Sequence, residues 1–209
     1  MKKCVVLSMD DSSGYEIYDQ LFYPALEKAG WNIETLSWRA DVDWNNYDLV
    51  MIRSPWDYQL AAEAFLSVLE KIEASSAHLD NPLEVVRWNI NKKYLRDLSD
   101  KGVLIIPTLW RDEIDAKELD SFLNELNTDE LVIKPCISAG AFDTYRLTQE
   151  KALSLSDELV SKFKNRDVMI QPFVESVVSE GEFSIFYFDD QYSHTILKTP
   201  KENDFRVQE

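Results

Sequence analysis

Positively charged residues are scarce in this chain of 209 residues, in which 22 lysines and arginines stand against 38 aspartates and glutamates. The formal net charge is therefore −16. Sequence-independent binding to nucleic acid or to an acidic membrane surface requires clustered cations, so the composition argues against both kinds of partner. If such an acidic chain binds a polyanion, its few cations must be concentrated in one place.

Cysteine, histidine and long apolar runs are also in short supply. Cys4 and Cys136 have neither metal-site nor disulfide spacing, which predicts reduced cytosolic thiols. His78 and His194 have no spacing that would predict a histidine metal site. No apolar stretch approaches the roughly 20 residues that cross a bilayer, and Asp10 stops the N-terminal run too early for a signal peptide. We therefore predict a cytoplasmic protein with no membrane partner.

The first part of the chain alternates between apolar runs and segments of helical periodicity. Continuous runs are typical of strands that are buried on both faces of a parallel sheet. Strands are predicted at Lys3–Met9, Trp31–Trp38, Leu49–Ile52 and Ala77–Leu79. Helices are predicted at Tyr15–Ala29, although Pro24 lies within it, and at Ala61–Ala74. This order favours a parallel sheet with helices on both faces.

The second part mixes helices and strands less regularly. Helices are predicted from Asn91, as an N-cap, to Asp100, in a segment that Asp115 caps, and at Glu150–Lys164. Strands are predicted at Val103–Ile106, Leu131–Lys134, Thr144–Leu147 and Val168–Gln171, with a hairpin formed by Phe183–Phe188 and Ser193–Lys198. The fold class is thus α/β, with a parallel α/β domain at residues 1–85 followed by an α+β domain at residues 86–209.

Lys134 is the most informative single residue, because it stands at the end of an apolar strand. A cation is costly to place there unless an anion needs it. The next residues are small and include Ser138 and Gly140. A lysine followed by such a loop is a plausible phosphate cradle, built from one ammonium group and backbone N–H groups.

Other cations occupy comparable positions. Lys92 and Lys93 stand in the first turn of a predicted helix, where the macrodipole disfavours a lysine unless it has an anionic partner; a solvated lysine pair is the alternative. Lys198 ends an apolar strand, as Lys134 does, and Arg206 follows it. Both are candidates for contacts with an anion.

The segment Val168–Val174 is either a core strand that ends at a proline or a hinge. As a hinge, its backbone from Gln171 would meet the edge of an adenine ring, with Phe173 and Val174 as apolar walls. Glu182 opens the following strand and could accept hydrogen bonds from ribose hydroxyls, although a surface glutamate is equally common there.

Arg53, Trp56 and Asp57 follow an inner strand of the first domain. Ligands of open α/β sheets bind beyond the carboxyl ends of the strands, which makes this loop a candidate substrate pocket. A structural turn anchored by its tryptophan is the alternative.

The order of these segments resembles the ATP-grasp superfamily, within its glutathione synthetase-like and ribosomal-protein glutamate ligase-like group. The quoted stretches are Asn-Lys-Lys, Gly-Val-Leu-Ile-Ile-Pro-Thr, Val-Ile-Lys-Pro, Ile-Gln-Pro-Phe-Val, Gly-Glu-Phe-Ser, Ile-Leu-Lys-Thr-Pro and Asp-Phe-Arg-Val-Gln. The resemblance covers nearly the whole chain, and it is the order and spacing that are specific. It implies a pre-ATP-grasp domain at 1–85 and an ATP-grasp domain at 86–209 that is incomplete at its C-terminus.

The resemblance also implies roles. Family members activate a carboxylate with ATP and let an amine or thiol attack the acyl-phosphate. Lys134 matches one phosphate-binding lysine and Lys92, or Lys93 one position away, matches the other. Gln171, Phe173 and Val174 match the hinge, and Glu182 matches the ribose-binding acidic residue. Lys198 and Arg206 match catalytic basic residues at the transferred phosphate. The implied partners are ATP, a small carboxylate and an amine.

In the family, Mg²⁺ is held by acidic residues that follow the position of Arg206, so the ligands are expected beyond residue 209 and no metal ligand is assigned here. We therefore expect weak or no turnover by this chain alone, exposed apolar surface around Phe183–Lys198, poor order near Glu209, and self-association as a homo-oligomer. Two alternatives stay open. One is a non-catalytic nucleotide-binding or regulatory derivative, and the other is a ligand-free, flavodoxin-like interaction domain with a small α+β appendage.

Overall fold

The computed structural model describes residues 1–201 and 204–206, which form two compact units, Met1–Tyr94 and Leu95–Glu209. The predicted domain boundary after residue 85 falls inside a helix, Leu83–Asn89. Leu83 and Ile90 are buried in the core of the first unit, with Val86 packed against it. This packing joins the helix to the first unit.

The first unit contains a four-stranded sheet in which every pair of neighbouring strands is parallel. Its elements are β1 (Lys2–Ser8), α1 (Tyr23–Lys28), β2 (Trp31–Ser37), β3 (Leu49–Ser54), α2 (Ala62–Glu73), β4 (His78–Asp80) and α3 (Leu83–Asn89). The strand order is β2-β1-β3-β4. Strand β1 lies between two neighbours, and Cys4 to Leu7 are fully buried, as a continuous apolar run requires. The predicted parallel sheet is confirmed.

The second unit contains an antiparallel sheet and a separate hairpin. Its elements are α4 (Tyr94–Asp100), β5 (Leu109–Arg111), α5 (Leu119–Leu126), β6 (Glu130–Pro135), β7 (Tyr145–Thr148), α6 (Gln149–Ser154), α7 (Ser156–Lys162), β8 (Val168–Pro172), α8 (Ser176–Ser179), β9 (Glu182–Phe188) and β10 (Gln191–Lys198). The sheet order is β5-β8-β6-β7, and β9 pairs with β10 alone. Leu131, Ile133 and Ile170 from the sheet share a core with Phe122 of α5 and Phe163.

Several predicted elements are wrong in extent. The helix predicted at Tyr15–Ala29 is reduced to α1, because Pro24 lacks the N–H that an interior position needs and instead stands in the first turn. A short 3₁₀ turn at Asp19–Leu21 precedes it. The helix predicted at Glu150–Lys164 is divided into α6 and α7 at Leu155.

The strand predicted at Val103–Ile106 does not exist in the structure, where β5 begins only at Leu109. Leu104 is 99% exposed, so its apolar run packs against no core that would stabilise a strand. Helix α4 begins at Tyr94 and not directly after Asn91, whose side chain accepts a hydrogen bond from the backbone N–H of Lys93 at 2.9 Å. Helices α3 and α8 were not predicted.

The hairpin β9–β10 turns at Asp189 and Asp190, both of which have positive φ angles, 49° and 58°. Two successive residues of that conformation match the right-handed twist of the strands they join. The large apolar side chains of the hairpin are exposed: Phe183, Ile185, Phe186, Tyr187, Phe188, Tyr192, Ile196 and Leu197. The expected exposure of this segment is confirmed, whereas the prediction for Glu209 lies outside the described residues.

Candidate functional site

Lys134 lies near the end of β6, between β7 and β8 of the antiparallel sheet. Leu131 and Ile133 alternate with it along the strand and point into the core, so Lys134 belongs to the opposite face. Burial lowers the pKa of the Lys134 ammonium group, and the carboxylate of Glu182 partly opposes this effect. The protein therefore holds a partly desolvated cation on the face of the sheet that is turned away from the core.

Glu182 and Lys198 are the first residue of β9 and the last residue of β10, and they are paired in register. The Lys198 Nζ lies 3.4 Å from the Glu182 carboxylate. Glu182 also raises the pKa of Lys134 electrostatically, so its carboxylate interacts with both lysines. We call Lys134, Glu182 and Lys198 the lysine–glutamate cluster.

The small-residue loop after β6 is fixed at both ends. Ser138 is buried, and its hydroxyl donates a hydrogen bond to the carbonyl of Pro135 at 3.4 Å. Gly140 has a φ of 57°. At the far end, the Asp143 carboxylate contacts Lys162 at 3.2 Å and Arg166 at 2.7 Å. These ion pairs anchor the loop to the segment around α7.

The predicted hinge begins in β8 and is engaged by neighbouring groups. The Gln171 amide is buried and donates to the Thr108 hydroxyl at 2.9 Å. The N–H of Phe173 donates to the Glu130 carbonyl at 2.9 Å. This N–H is therefore used within the protein and is not free to bind an adenine ring. The Arg146 guanidinium lies 3.5 Å from the centre of the Phe173 ring. Phe173 is therefore already covered on one face by a cation, and Val174 directly follows it.

Arg206 and Lys92 are the two remaining basic residues assigned from the resemblance. Arg206 pairs with Asp204, and this hydrogen-bonded contact raises the pKa of Arg206 and lowers that of Asp204 to about 2. Lys92 lies in the turn before α4, in the first unit, whereas Lys134 belongs to the second.

In the first unit, Arg53 is part of β3 and not of the loop that was predicted to contain it. Its Nε donates a hydrogen bond to the Asp19 carboxylate at 2.9 Å, and its Nη2 forms an ion pair with the same oxygen at 2.9 Å. The Ser54 hydroxyl donates to the same carboxylate at 2.9 Å and lies 3.2 Å from the Ser8 hydroxyl. Asp19 was not predicted, since a lone aspartate in a polar segment gives no local signal of burial.

Asp57 reaches from the loop after β3 to the residues that follow β2. Its carboxylate accepts from the Trp38 indole at 2.8 Å and from Arg39, whose guanidinium stacks 3.9 Å from the Trp38 ring centre. The Trp56 ring lies 5.4 Å from that of Tyr15. Trp56 and Asp57 thus build the loops at the carboxyl edge of the sheet, and Arg39 is a second guanidinium there that the sequence did not indicate.

The described part of the chain contains no candidate metal site. Among residues 1–201 and 204–206, no group of three or more histidine, cysteine, aspartate or glutamate side chains could hold a metal ion. These residues do not provide a complete Mg²⁺ site. Helix α2, with 12 residues, is the longest within the same ranges, and no helix there is long and apolar enough to cross a membrane.

An open groove of about 460 Å³ lies in the second unit, between α4 and β5. Arg96, Asp100, Leu104 and Trp110 are among the residues that line it. None of the predicted site residues lines this groove, so it is separate from the lysine–glutamate cluster.

Comparison with known proteins identifies relatives for both units. Residues 4–81 match the family described as D-cycloserine synthetase DcsG, N-terminal domain. The cycloserine biosynthesis protein DcsG of Streptomyces lavendulae is 32% identical over 180 residues, which cover 83% of this chain and 60% of the relative. The glutathione synthetase of Rhodopseudomonas palustris is 28% identical over 174 residues, which cover 82% of this chain and 52% of the relative. The chain thus spans little more than half the length of these relatives.

Solved structures agree with these matches. The crystal structure of D-cycloserine synthetase DcsG superposes with a TM-score of 0.84 at 29% identity, over 94% of this chain and 68% of that one. The D-alanyl-alanine synthetase A of Vibrio cholerae has a TM-score of 0.69 at 13% identity, over 97% and 68% of the two chains, and shares the fold. The chain therefore has the fold of the ATP-grasp proteins among the solved structures, and its sequence is similar to that of DcsG.

Proposed function

We propose that this chain is part of an ATP-dependent ligase that joins a small carboxylate to an amine, or to a thiol, through an acyl-phosphate. The observation that carries the proposal is the lysine–glutamate cluster, which gathers two ammonium groups in a chain with a net charge of −16. The relatives named above, a cycloserine biosynthesis protein and a glutathione synthetase, support the same reaction class.

Lys134 is the group that we assign to the nucleotide phosphates. A lysine whose charged form is disfavoured by burial gains more from an anionic partner than a solvated lysine does, since less water has to be displaced. The loop that contains Ser138 and Gly140 follows Lys134 directly, and the ion pairs of Asp143 hold it in place. We propose that its backbone N–H groups face the phosphates.

We assign Glu182 and Lys198 to two different parts of the nucleotide. Glu182 is an acceptor for ribose hydroxyls, and Lys198, its ion-pair partner, is a donor for the phosphate that is transferred. We propose that the adenine ring of the nucleotide binds at the hinge Gln171–Val174, where Arg146 packs on the Phe173 ring. Charge stabilisation by positioned cations is the main source of catalysis in phosphoryl transfer, which gives Lys198 and, further along the chain, Arg206 their catalytic roles.

When Mg²⁺ is bound, it would neutralise part of the phosphate charge. The residues described here do not form a site with enough carboxylates for it, so no ligand is assigned to this chain and no step depends on one. We propose Lys92 as a second phosphate contact. It belongs to the first unit, whereas Lys134 belongs to the second.

Calorimetric titration with ADP tests the proposal. Replacing Lys134 by alanine should weaken ADP binding by about 1.5–3 kcal/mol, the value of a hydrogen bond to a charged group. Lys164→Ala is the matched control, because Lys164 is an exposed lysine of the same unit. Lys92→Ala, titrated in parallel, tests the second phosphate contact. Equal ADP affinity in the wild type and the Lys134 variant would remove the assignment.

A further inference from the structure

We propose that Arg53 binds the carboxylate group of a small substrate through the outer edge of its guanidinium, and that Asp19 is the positioning residue that aims it. This inference rests on the proposed ligase function and names the chemistry of its substrate subsite in the first unit. It assigns Asp57 a supporting role instead of a direct contact with substrate.

The Asp19 carboxylate is buried and both of its oxygens are engaged by side chains of the same unit. Its side chain is 8% exposed, and one oxygen accepts a hydrogen bond from Nε of Arg53 at 2.9 Å and forms an ion pair with Nη2 at 2.9 Å. The other oxygen accepts from the Ser54 hydroxyl at 2.9 Å. Because both oxygens are engaged and buried, Asp19 fixes the guanidinium and does not itself receive substrate.

The Arg53 guanidinium is occupied on one edge only. A guanidinium carries five N–H groups in a rigid plane, and the contact with Asp19 uses the edge formed by Nε and Nη2. The Phe22 ring centre lies 5.2 Å from the Cζ atom and supports the group. Among the described residues Nη1 has no hydrogen-bond or ion-pair partner, and 47% of the side chain is exposed. The pair Nη1 and Nη2 therefore presents two parallel donors, the spacing that a carboxylate accepts.

The position of Arg53 in the sheet agrees with a ligand site. Arg53 precedes Ser54 at the carboxyl end of β3, and the Ser54 hydroxyl touches that of Ser8 at the end of β1. Parallel sheets bind ligands beyond these strand ends.

A monoanion fits this edge better than a phosphate. Arg39, the other guanidinium in this region, is already paired with Asp10 and Asp57. The free edge of Arg53 is then the unpaired guanidinium edge of this pair of arginines, and a single guanidinium balances one negative charge. The carboxylates nearby would repel a second charge.

Binding to the folded chain can be measured with acetate, and with glycine, alanine and serine of both configurations, against the corresponding amino-acid amides. The wild type is expected to bind the carboxylates and to discriminate against the amides at least tenfold. Arg53→Lys keeps the charge but lacks the planar fork, and Asp19→Asn keeps the shape but releases the guanidinium. Both are expected to lose the discrimination, whereas Arg87→Lys, in an exposed ion pair of the same unit, should keep it.

The ratio of carboxylate to amide affinity separates positioning from a general loss of structure, which would weaken both ligands alike. If Asp19→Asn fails to fold, as judged by circular dichroism, Arg53→Lys and Ser54→Ala carry the test, since neither removes the buried charge. Equal affinity for amides, preferential binding of inorganic phosphate, or no binding by any carboxylate would overturn the proposal. ADP titration of the same samples decides the ligase proposal independently, because it depends on Lys134.

Discussion

At the scale of single residues, the burial of Lys134 makes its charge state sensitive to pH. Burial lowers its pKa below the ordinary value of 10.5, so the unfolded chain keeps this proton to higher pH than the folded protein does. This group therefore adds stability to the fold as the pH rises through that interval. Binding of an anion has the opposite dependence, because only the protonated lysine attracts phosphate.

We predict that the affinity for ADP declines at alkaline pH, and that the decline begins below the pKa of an ordinary lysine. Lys134→Arg should bind ADP without this decline, since a guanidinium does not titrate in that range. Calorimetric titrations of both proteins with ADP, from mildly to strongly alkaline pH, measure this change in affinity. The same pH profile in both proteins would show that Lys134 does not contact the phosphates.

Sequence patterns located some of the important residues and missed others for a physical reason. Lys134 could be predicted because a cation at the end of an apolar strand is unusual. Its convergence with Glu182 and Lys198 could not, because it depends on pairing across long stretches of chain. Asp19 and Arg39 carry no such mark, since charged residues in polar segments are typical of solvated surface.

At the scale of secondary structure, Gly181 connects the hairpin to the lysine–glutamate cluster. A Cβ atom at this position would lie 2.7 Å from the Lys198 carbonyl oxygen and 2.8 Å from the Leu197 side chain. Its φ of +95° is also unfavourable for any residue with a side chain. Replacing it must displace the end of β10, and with it Lys198.

We predict that Gly181→Ala lowers both thermal stability and ADP affinity. Gly30→Ala is the matched control, because Gly30 has a φ of +92° but nothing within 4 Å of the added atom. Backbone strain alone, on the order of 1–3 kcal/mol, should lower the unfolding temperature of both variants. Only Gly181→Ala should also weaken ADP binding, and equal affinities in the two variants would argue that the hairpin is independent of the nucleotide site.

The elements that could be predicted are those with burial on both faces. Strand β1 reads as a continuous apolar run and lies at the centre of its sheet. The run Val103–Ile106 has a similar composition, yet tertiary structure leaves it exposed, which periodicity cannot reveal. The apolar run predicts a strand that ends at Ile52, whereas β3 continues through Arg53 to Ser54, and the Arg53 partner Asp19 comes from a distant segment.

At the scale of the whole molecule, one face of the hairpin is apolar and exposed. Side chains alternate along a strand, so Phe183, Ile185 and Tyr187 share a face with their cross-strand partners Tyr192 and Leu197. Glu182 and Lys198 belong to the other face. An apolar patch of this kind promotes association.

We predict that the chain of residues 1–209 self-associates through this face as its concentration rises. The double variant Ile185→Lys, Leu197→Lys should reduce the association measured by sedimentation velocity, because like charges would then meet. Leu60→Lys, at an isolated exposed leucine of the first unit, should leave it unchanged. Association that is insensitive to the double variant would assign the contact to another surface.

The separation of the two hydrophobic cores has a consequence for synthesis on the ribosome. All the buried residues of the first core lie between Val5 and Ile90, and those of the second begin at Ile114. Every strand of the parallel sheet pairs with strands from the same part of the chain. We therefore expect the first unit to fold while the second is still being translated, so that the nascent chain exposes one incomplete core at a time.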